Sequence, residues 1–245
     1  MPGSVELPAL PAAEPASATS RLPPSRPPAS VSTAAADFRF GAGGGSWFAP
    51  VNTAVAARSA PSATARVVGR LSTKTPEGTA NVVPLVRRVE RGNTLWLQVG
   101  LPVLPNGTTG WVPRTALGGY TPVSTRLVIS LGALRATLYR GKRSIFSAAI
   151  GVGQARWPTP TGRFIIRNKL TRYASPAYGP VAFGTSARSA VLTDWPAGGF
   201  VGIHGTNQPG LIPGKISHGC IRLRNADILE LERKMPLGTP VTIRQ

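Results

Sequence analysis

Histidine and cysteine are almost absent from this 245-residue chain, which has two histidines and one cysteine. A single cysteine excludes an internal disulfide bond, and these three residues fall short of the four ligands of a structural zinc site. We therefore expect no metal and no cofactor. No apolar run approaches the ~18 residues of a membrane-spanning helix. The N-terminus shows no basic stretch followed by an apolar one, so no signal peptide is visible.

Acidic residues are also scarce, with Asp and Glu numbering 9 against 28 Lys and Arg, for a net charge of +19. The charge is scattered along the chain, which fits either a basic soluble surface or attraction to an anionic partner. That partner is either a nucleic acid or a polymer bearing carboxylates or phosphates. The sequence contains no RNP-type aromatic motif, zinc-finger spacing or basic helix. We therefore expect an anionic polymer and no nucleic acid.

What the chain has instead is glycine and proline, 28 and 25 residues, together with 42% hydrophobic residues. This composition favours short strands and turns around a packed core. Residues 1–46 are rich in Pro, Ala and Gly and lack periodicity, which predicts a disordered tether. Residues 47–119 contain short apolar runs broken by turns, typical of a small β module. Its predicted strands are residues 67–71, 81–86, 94–99 and 110–113, with a hairpin turn at 104–108.

Residues 123–245 form the second predicted domain, mostly β. Three consecutive antiparallel strands are predicted at its start, and further strands follow after a loop. One amphipathic helix of about ten residues is predicted after Asn225, which is a plausible N-cap. The predicted strands are residues 126–131, 134–139, 144–150, 163–166, 181–184, 190–193, 200–203 and 241–243.

All the imidazole and thiol of the chain lies within positions 204–220, which suggests that these groups act together. A thiol beside an imidazole is the minimum equipment for nucleophilic catalysis, because the thiolate is the attacking form. His204 ends an apolar strand, so its ring can be held rigidly at the edge of a sheet. A Gly/Pro-rich loop, residues 207–215, then returns the chain to Ser217, His218, Gly219 and Cys220.

Gly219 permits a tight turn with positive φ before the cysteine. Such a turn can direct the N–H groups of His218, Gly219 and Cys220 at one point, which would form an oxyanion hole. Arg222 lies two residues beyond Cys220, and in an extended segment both share a face. Its guanidinium can then bind a substrate carboxylate in a bidentate manner.

These residues resemble the signature of the YkuD-type L,D-transpeptidase catalytic domain. The resemblance rests on His204-Gly205-Thr206, on the stretch from Ser217 to Leu223, and on the Thr-Pro-Thr-Gly sequence at residues 159–162. It covers about residues 123–245 and implies a β-sandwich with one or two short helices. It also implies a peptidoglycan cross-linking enzyme that attacks the carbonyl before the terminal D-Ala of a tetrapeptide stem, forms a thioester and yields a 3→3 cross-link.

The resemblance also implies the roles of individual residues. Cys220 maps onto the nucleophile, His204 onto the general base, and the carbonyl of Gly205 onto the group that orients this base. His218, Gly219 and Cys220 map onto the oxyanion hole, while His218 has structural or substrate-orienting roles as alternatives.

Four other positions near the cysteine receive weaker roles. Ser217 is placed with the catalytic residues, as a local hydrogen-bonding group rather than a nucleophile. Some family members have Asn where this chain has Arg222, so Arg222 becomes the candidate substrate-binding residue, with Asn225 a weaker one. Arg224 is expected on the solvated surface.

The stretch from Trp96 to Pro113 resembles a bacterial SH3-like module, so a small SH3-like β-barrel is expected before the catalytic domain. Such modules often bind cell-wall peptide, and packing against the next domain is an equal alternative. Two further functions stay open: an L,D-carboxypeptidase that releases D-Ala to water, and a non-catalytic wall-binding protein. Reaction with a carbapenem would separate the enzymes from the binding protein.

The implied substrate, the stem peptides of peptidoglycan, lies outside the cytoplasm. We therefore expect an extracytoplasmic monomer, in the cell wall or periplasm, held near an anionic wall polymer. Because no signal peptide is visible, the natural start is expected upstream, or residues 1–45 remain from a longer export and tether segment.

Overall fold

The computed structural model describes residues 46–171, 175–192 and 199–245. Within these ranges the chain forms seventeen β-strands, one α-helix and three short 3-10 helices. The strands belong to two sheets, one before and one after Ser124. The tether predicted for residues 1–46 lies outside the described residues, except for Ser46, which is buried at the start of the first strand.

The first sheet contains seven strands in the spatial order β3-β2-β6-β5-β4-β1-β7, and every pair is antiparallel. Its strands are β1 (Ser46–Pro50), β2 (Val55–Arg58), β3 (Val67–Leu71), β4 (Val82–Arg91), β5 (Thr94–Gly100), β6 (Thr109–Pro113) and β7 (Thr121–Val123). The four predicted strands are present, and β1, β2 and β7 add to them. The SH3-like resemblance of this sheet stays a prediction.

The first sheet has its own apolar core. Alternate residues of its central strands point inward, so Leu85, Leu97, Val99 and Val112 are at most 1% exposed. Burying side chains of this size stabilises a fold by about 1.5–3 kcal/mol each. Residues 46–123 therefore have an apolar cluster of their own, separate from that of the second sheet.

The second sheet contains ten strands in the order β10-β9-β8-β17-β12-β13-β14-β16-β11-β15. The strands are β8 (Thr125–Ser130), β9 (Arg135–Arg140), β10 (Arg143–Ala149), β11 (Gly151–Gly153), β12 (Gly162–Leu170), β13 (Ala182–Arg188), β14 (Phe200–His204), β15 (Gly214–Ser217), β16 (Ile221–Arg222) and β17 (Pro240–Arg244). The predicted antiparallel triple β8-β9-β10 is confirmed. The strand predicted at 190–193 is wrong for residues 190–192, which are irregular; Thr193 lies outside the described residues.

The long strand β12 divides this sheet into two layers. Its first half pairs with β17 and its second half pairs with β13. One apolar cluster contains side chains from both layers, among them Leu127 of β8 and Ile203 of β14. The two layers therefore enclose a shared core, and the predicted mostly β sandwich is confirmed.

The α-helix of this domain, α1 (Asn225–Lys234), packs Ile228 and Leu231 into the same core. Its length agrees with the predicted ten residues. The predicted N-cap is wrong, because the cap position is Arg224 and Asn225 is already the first helical residue. The side chain of Asn225 is instead used by the loop after β14, as described below.

The two sheets contact each other directly. Phe48, Val82 and Val123 pack against Ile165 in a small apolar cluster. Beside this cluster the buried Arg167 faces Glu77, with 3.7 Å between Nη2 and Oε2. The two regions are therefore joined by apolar and charged contacts as well as by the chain itself.

A second polar link joins the regions through Asn106, in the loop between β5 and β6. Its amide nitrogen donates to the carbonyl of Arg188 at 2.8 Å, and its oxygen accepts from the N–H of Arg188 at 3.0 Å.

The described residues contain no helix long and apolar enough to cross a membrane.

Candidate active site

Two neighbouring parallel strands bring the histidine and cysteine segments together. In β14 and β16, Ile203 is paired with Ile221 and His204 with Arg222. Both isoleucines are fully buried, so apolar packing fixes this register. The residues just before them, Gly202 and Cys220, then lie side by side. The N–H of Gly202 donates to Sγ of Cys220 at 3.4 Å.

Gly202 lies between the thiol of Cys220 and the imidazole of His204 and leaves space open between them. A methyl group placed on its Cα would lie 3.8 Å from Sγ of Cys220 and 3.8 Å from Cδ2 of His204. Cδ2 is bonded to Nε2, so this edge of the ring faces the same small space as the sulfur. His204 is the last residue of β14, as predicted, and β14 is an interior strand between β13 and β16.

His204 is held in one orientation. Its side chain is 3% exposed, and its ring lies against that of Tyr178 with 4.5 Å between centroids. Its Nδ1 lies 2.6 Å from the carbonyl oxygen of Gly205. Because a carbonyl only accepts hydrogen bonds, Nδ1 carries the proton and Nε2 of the neutral ring is the basic atom.

Burial lowers the pKa of His204 from 6.5 to about 4. The hydrogen bond to Gly205 opposes this change, and the positive charge of Arg222 adds to it. His204 is therefore neutral at physiological pH and able to accept a proton.

The Gly205 carbonyl is positioned in turn by Asn225. The Asn225 oxygen accepts from the N–H of Thr206 at 2.9 Å. A Cβ on Gly205 would lie only 2.4 Å from that oxygen, so any larger residue here would displace the Asn225 side chain. These contacts show Asn225 supporting the loop that orients His204, and its expected contact with substrate stays a prediction.

Cys220 carries a protonated thiol in this environment. The residue is half-buried, and burial raises the pKa of the thiol above its usual value. The N–H of Gly202 and the charge of Arg222 act in the opposite direction, with smaller effects. The resting pair is thus a neutral thiol beside a neutral imidazole, so the proton must leave sulfur as the attack occurs.

The turn before Cys220 is stabilised by Ser217, which is fully buried. Its Oγ donates to the carbonyl of Cys220 at 2.5 Å and accepts from the N–H of Gly219 at 3.1 Å. The expected local role of Ser217 is confirmed, and Gly219 has the expected positive φ, 112°. The N–H of Gly219 is already bonded to Ser217, which leaves His218 and Cys220 as the predicted oxyanion donors.

Thr159 connects the Thr-Pro-Thr-Gly segment to this turn. Its hydroxyl donates to the carbonyl of Gly219 at 2.8 Å and accepts from the N–H of Gly153 at 2.9 Å. The side chain is 4% exposed, so both bonds are shielded from water. The sequence singled out this segment only as a turn, and its contact with the catalytic turn was not predicted.

His218 lies outward from the pair. Its ring packs against Trp157 with 4.0 Å between centroids, and the guanidinium of Arg156 covers the same indole at 3.4 Å. Burial lowers the pKa of His218, and the charges of Arg222 and Arg156 lower it further. Neither Trp157 nor Tyr178 was predicted, because no sequence spacing connects them with the two histidines.

Arg222 supplies a positive charge that acts on Cys220, His204 and His218. It is half-buried, and its Nε is buried with no hydrogen-bond partner among the described residues. Its expected role, binding a substrate carboxylate, stays a prediction. Arg224 is exposed as expected, although its guanidinium also donates to the carbonyl of Ile212 at 2.7 Å. The described residues contain no group of three or more His, Cys, Asp or Glu side chains suited to a metal ion.

A family model described as the L,D-transpeptidase catalytic domain, YkuD, matches residues 124–243, the same region that builds this site. The C-terminal half of the chain carries a YkuD-type L,D-transpeptidase catalytic domain. A protein of Bacillus subtilis (strain 168) named L,D-transpeptidase YkuD is 36% identical over 119 residues, which are 49% of this chain and 65% of that protein.

A second curated relative of this domain is the L,D-transpeptidase YbiS of Escherichia coli (strain K12). It is 32% identical over 134 residues, which are 47% of this chain and 43% of that protein. The solved structure of an L,D-transpeptidase from Mycobacterium tuberculosis H37Rv is 14% identical, covering 62% of this chain and 90% of that one with a TM-score of 0.43. The chain spans less than two thirds of the length of both curated relatives.

Proposed function

We propose that this protein is a cysteine-dependent L,D-transpeptidase that joins peptidoglycan stem peptides by 3→3 cross-links. The observation that supports this most directly is the neutral thiol of Cys220 beside the oriented, neutral imidazole of His204. The YkuD-type domain match adds the class of reaction.

In the first half-reaction, Sγ of Cys220 attacks the carbonyl that precedes the terminal D-Ala of a tetrapeptide stem. The thiol proton passes to Nε2 of His204 as the C–S bond forms. The imidazolium then gives this proton to the departing nitrogen, the C–N bond breaks, and D-Ala leaves behind a thioester. The Gly205 carbonyl stabilises the transient imidazolium through Nδ1–H.

In the second half-reaction, the side-chain amine of a neighbouring stem attacks the thioester. Its proton passes to His204 while the C–S bond breaks, and the sulfur regains a proton from the imidazolium. If water attacks instead, the same cycle is the hydrolysis of an L,D-carboxypeptidase. The proposal therefore predicts both a cross-linked product and its dependence on an acceptor amine.

Charge develops on the carbonyl oxygen in each half-reaction. The N–H groups of His218 and Cys220 are the proposed donors to this oxygen, and removing one such donor typically costs about 10²–10³ in rate. Arg222 is the proposed partner of a carboxylate on the stem, since its guanidinium is half-buried beside the nucleophile. The reaction places the enzyme outside the cytoplasm, and we propose that it acts as a monomer.

The test is incubation of the purified protein with a disaccharide-tetrapeptide, followed by mass analysis of the products. We expect a dimer lighter than two substrates by one D-Ala, and a thioester intermediate on Cys220. Release of D-Ala without dimer would assign the carboxypeptidase reaction instead. Absence of both products, together with absence of reaction with a carbapenem, would favour a wall-binding protein.

A further inference from the structure

The outer face of the second sheet, away from its core, carries four arginines. In β8 and β9 alternate residues are buried, so Arg126 and Arg135 point outward. Arg244 lies on the same side of β17, and Arg163 of β12 is paired directly with Thr242 of β17. We call the surface formed by Arg126, Arg135, Arg163 and Arg244 the arginine face.

The sheet register arranges these side chains in rows. In the first row Arg126 lies beside Tyr139. The second row is two residues further along the strands, and there Arg163 lies in line with Thr242 and Val128. Arg244 and Arg135 flank Ser130 in the last row. Rows are about 7 Å apart and neighbouring strands about 4.8 Å apart. The charges are thus spread over a surface that a polymer can follow, rather than gathered at one point.

The arginine face contains a depression. Arg126, Val128, Tyr139, Thr242 and Arg244 line a depression of about 260 Å³. The guanidinium of Arg126 lies over the Tyr139 ring, 4.1 Å from its centroid, which holds its N–H groups in a fixed plane. An apolar floor with planar donors at its rim suits a sugar or peptide that carries a carboxylate.

No acidic side chain neutralises this surface within the described part of the chain. The acids there are Glu77, Glu90 and three residues of α1. Helix α1 packs on the core side of the sheet, opposite the arginine face, and its Glu230 and Glu232 are paired with lysines. None of the ion pairs found among the described residues involves the four arginines. Their charge is therefore directed toward solvent.

A second depression lies beyond the end of β8, next to the arginine face. Beyond Ser130 the chain continues to Leu131, which lines a cleft of about 260 Å³ together with Lys215 and Thr159. Thr159 is hydrogen-bonded to Gly219, beside the nucleophile. The cleft that borders the end of β8 therefore carries a further cation, Lys215, and shares Thr159 with the catalytic turn.

We propose that the arginine face binds peptidoglycan strands through the carboxylates of their stem peptides, and so holds the polymer whose stems enter the site. Charge complementarity supports this occupant, and the neighbouring cleft shares Thr159 with the catalytic turn. The choice of peptidoglycan rests on the proposed function, while binding itself is measured without turnover. A phosphodiester polymer is the competing occupant, and the experiment separates the two.

The experiment compares two triple variants that lose the same charge. The test variant is R126Q/R163Q/R244Q. The control, R66Q/R70Q/R87Q, changes three exposed arginines in or next to strands of the first sheet. Binding is measured by sedimentation with sacculi stripped of phosphate polymers, at low and high salt, and with a soluble phosphodiester polymer. Reaction of Cys220 with a carbapenem checks that each variant keeps its fold and site.

We expect the test variant to bind stripped sacculi roughly tenfold more weakly at low salt, a loss of about 1.4 kcal/mol, because it removes three charge contacts. The control should stay within about twofold, and C220S should bind like the wild type, which separates this proposal from failure of the catalytic one. Equal weakening of both triple variants, or unchanged binding, would overturn the arginine face. Weakened binding only to the phosphodiester polymer would overturn peptidoglycan as its occupant.

Discussion

The two sheets of this molecule differ in how their strands are paired. In the first sheet every strand pair is antiparallel, and several pairs join consecutive strands, such as β4 with β5 and β5 with β6. In the second sheet, three parallel pairs join strands distant in sequence: β8 with β17, β11 with β15, and β14 with β16. Parallel pairing places two distant segments side by side, and there Cys220 meets His204.

The two regions also differ in what they bury. The first sheet buries only Ser46, Thr75 and Asn81 among the polar residues described. The second buries ten polar residues, among them His204, Thr159 and Ser217, which hold the catalytic turn or act in it. Buried polar groups destabilise a fold unless they are hydrogen-bonded. In the second region groups such as Thr159 and Ser217 are hydrogen-bonded, and the substitutions below test this contrast.

The largest effect is expected for Cys220→Ser. We expect complete loss of β-lactam adduct and of product, because one imidazole cannot take a proton from a hydroxyl as it does from the far more acidic thiol. Intact-mass analysis measures the adduct, and the thermal unfolding midpoint should stay close to that of the wild type. An adduct on the serine variant would contradict the assignment of the nucleophile.

The next effect is expected for His204→Ala, which should slow acylation by about 10²–10⁴, the usual range for a positioned general base. His218→Ala should cost less, because this residue is proposed to supply a backbone N–H that alanine retains. Stopped-flow measurement of carbapenem acylation compares the two. A larger loss for His218→Ala would reverse the roles of the two histidines.

The pH dependence of acylation should follow the low pKa of His204, about 4. Acylation needs neutral imidazole, so the rate should change little between about pH 7 and pH 5, and fall about tenfold per unit well below pH 4. If the pKa of His204 were the ordinary 6.5, the acylation rate at pH 5 would instead be about thirtyfold lower. Initial rates of adduct formation by folded protein make the comparison.

The low pKa of His204 should also affect the stability of the fold, in a different pH range from the rate. Because the folded form binds its proton less tightly than the unfolded chain, the free energy of unfolding should decrease as the pH falls from 6.5 toward 4. This part of the decrease should be absent in His204→Ala. Denaturant unfolding of both proteins across this pH range measures the difference.

A smaller effect is expected for Thr159→Val, which keeps the shape of the side chain but leaves Gly153 N–H and the Gly219 carbonyl unpaired. Each buried unpaired group costs about 1–3 kcal/mol. We expect a lower unfolding midpoint and slower acylation, because the catalytic turn loses its support. Thr159→Ser keeps the hydroxyl and should retain most of both properties. Equal loss in the serine variant would show that the methyl group, not the hydroxyl, matters.

The smallest effect is expected for Asn106→Ala, which removes two hydrogen bonds between the sheets. We expect a loss of about 1–3 kcal/mol in the free energy of unfolding and an acylation rate within about twofold of the wild type. Gln98→Ala is the control, because its side chain bonds Thr109 within the first sheet at an exposed position. A large loss of acylation in Asn106→Ala would mean that the first sheet shapes the site.

The sequence by itself determined the β class of the chain, the single helix, and the residues of the candidate site. Alternation of apolar residues predicts strands because side chains of a strand point to opposite faces. The concentration of histidine and cysteine in positions 204–220 indicates a thiol nucleophile without any knowledge of the fold. Both are local properties, carried by neighbouring residues.

Only the tertiary structure decided how the site is held. Thr159 supports Gly219 from 60 positions away, Tyr178 packs on His204, and Asn225 supports the loop of Gly205 instead of capping its helix. The low pKa of His204 also depends on burial, which no local pattern gives. These contacts arise when distant strands pair and close one core, so their physical cause is the fold itself.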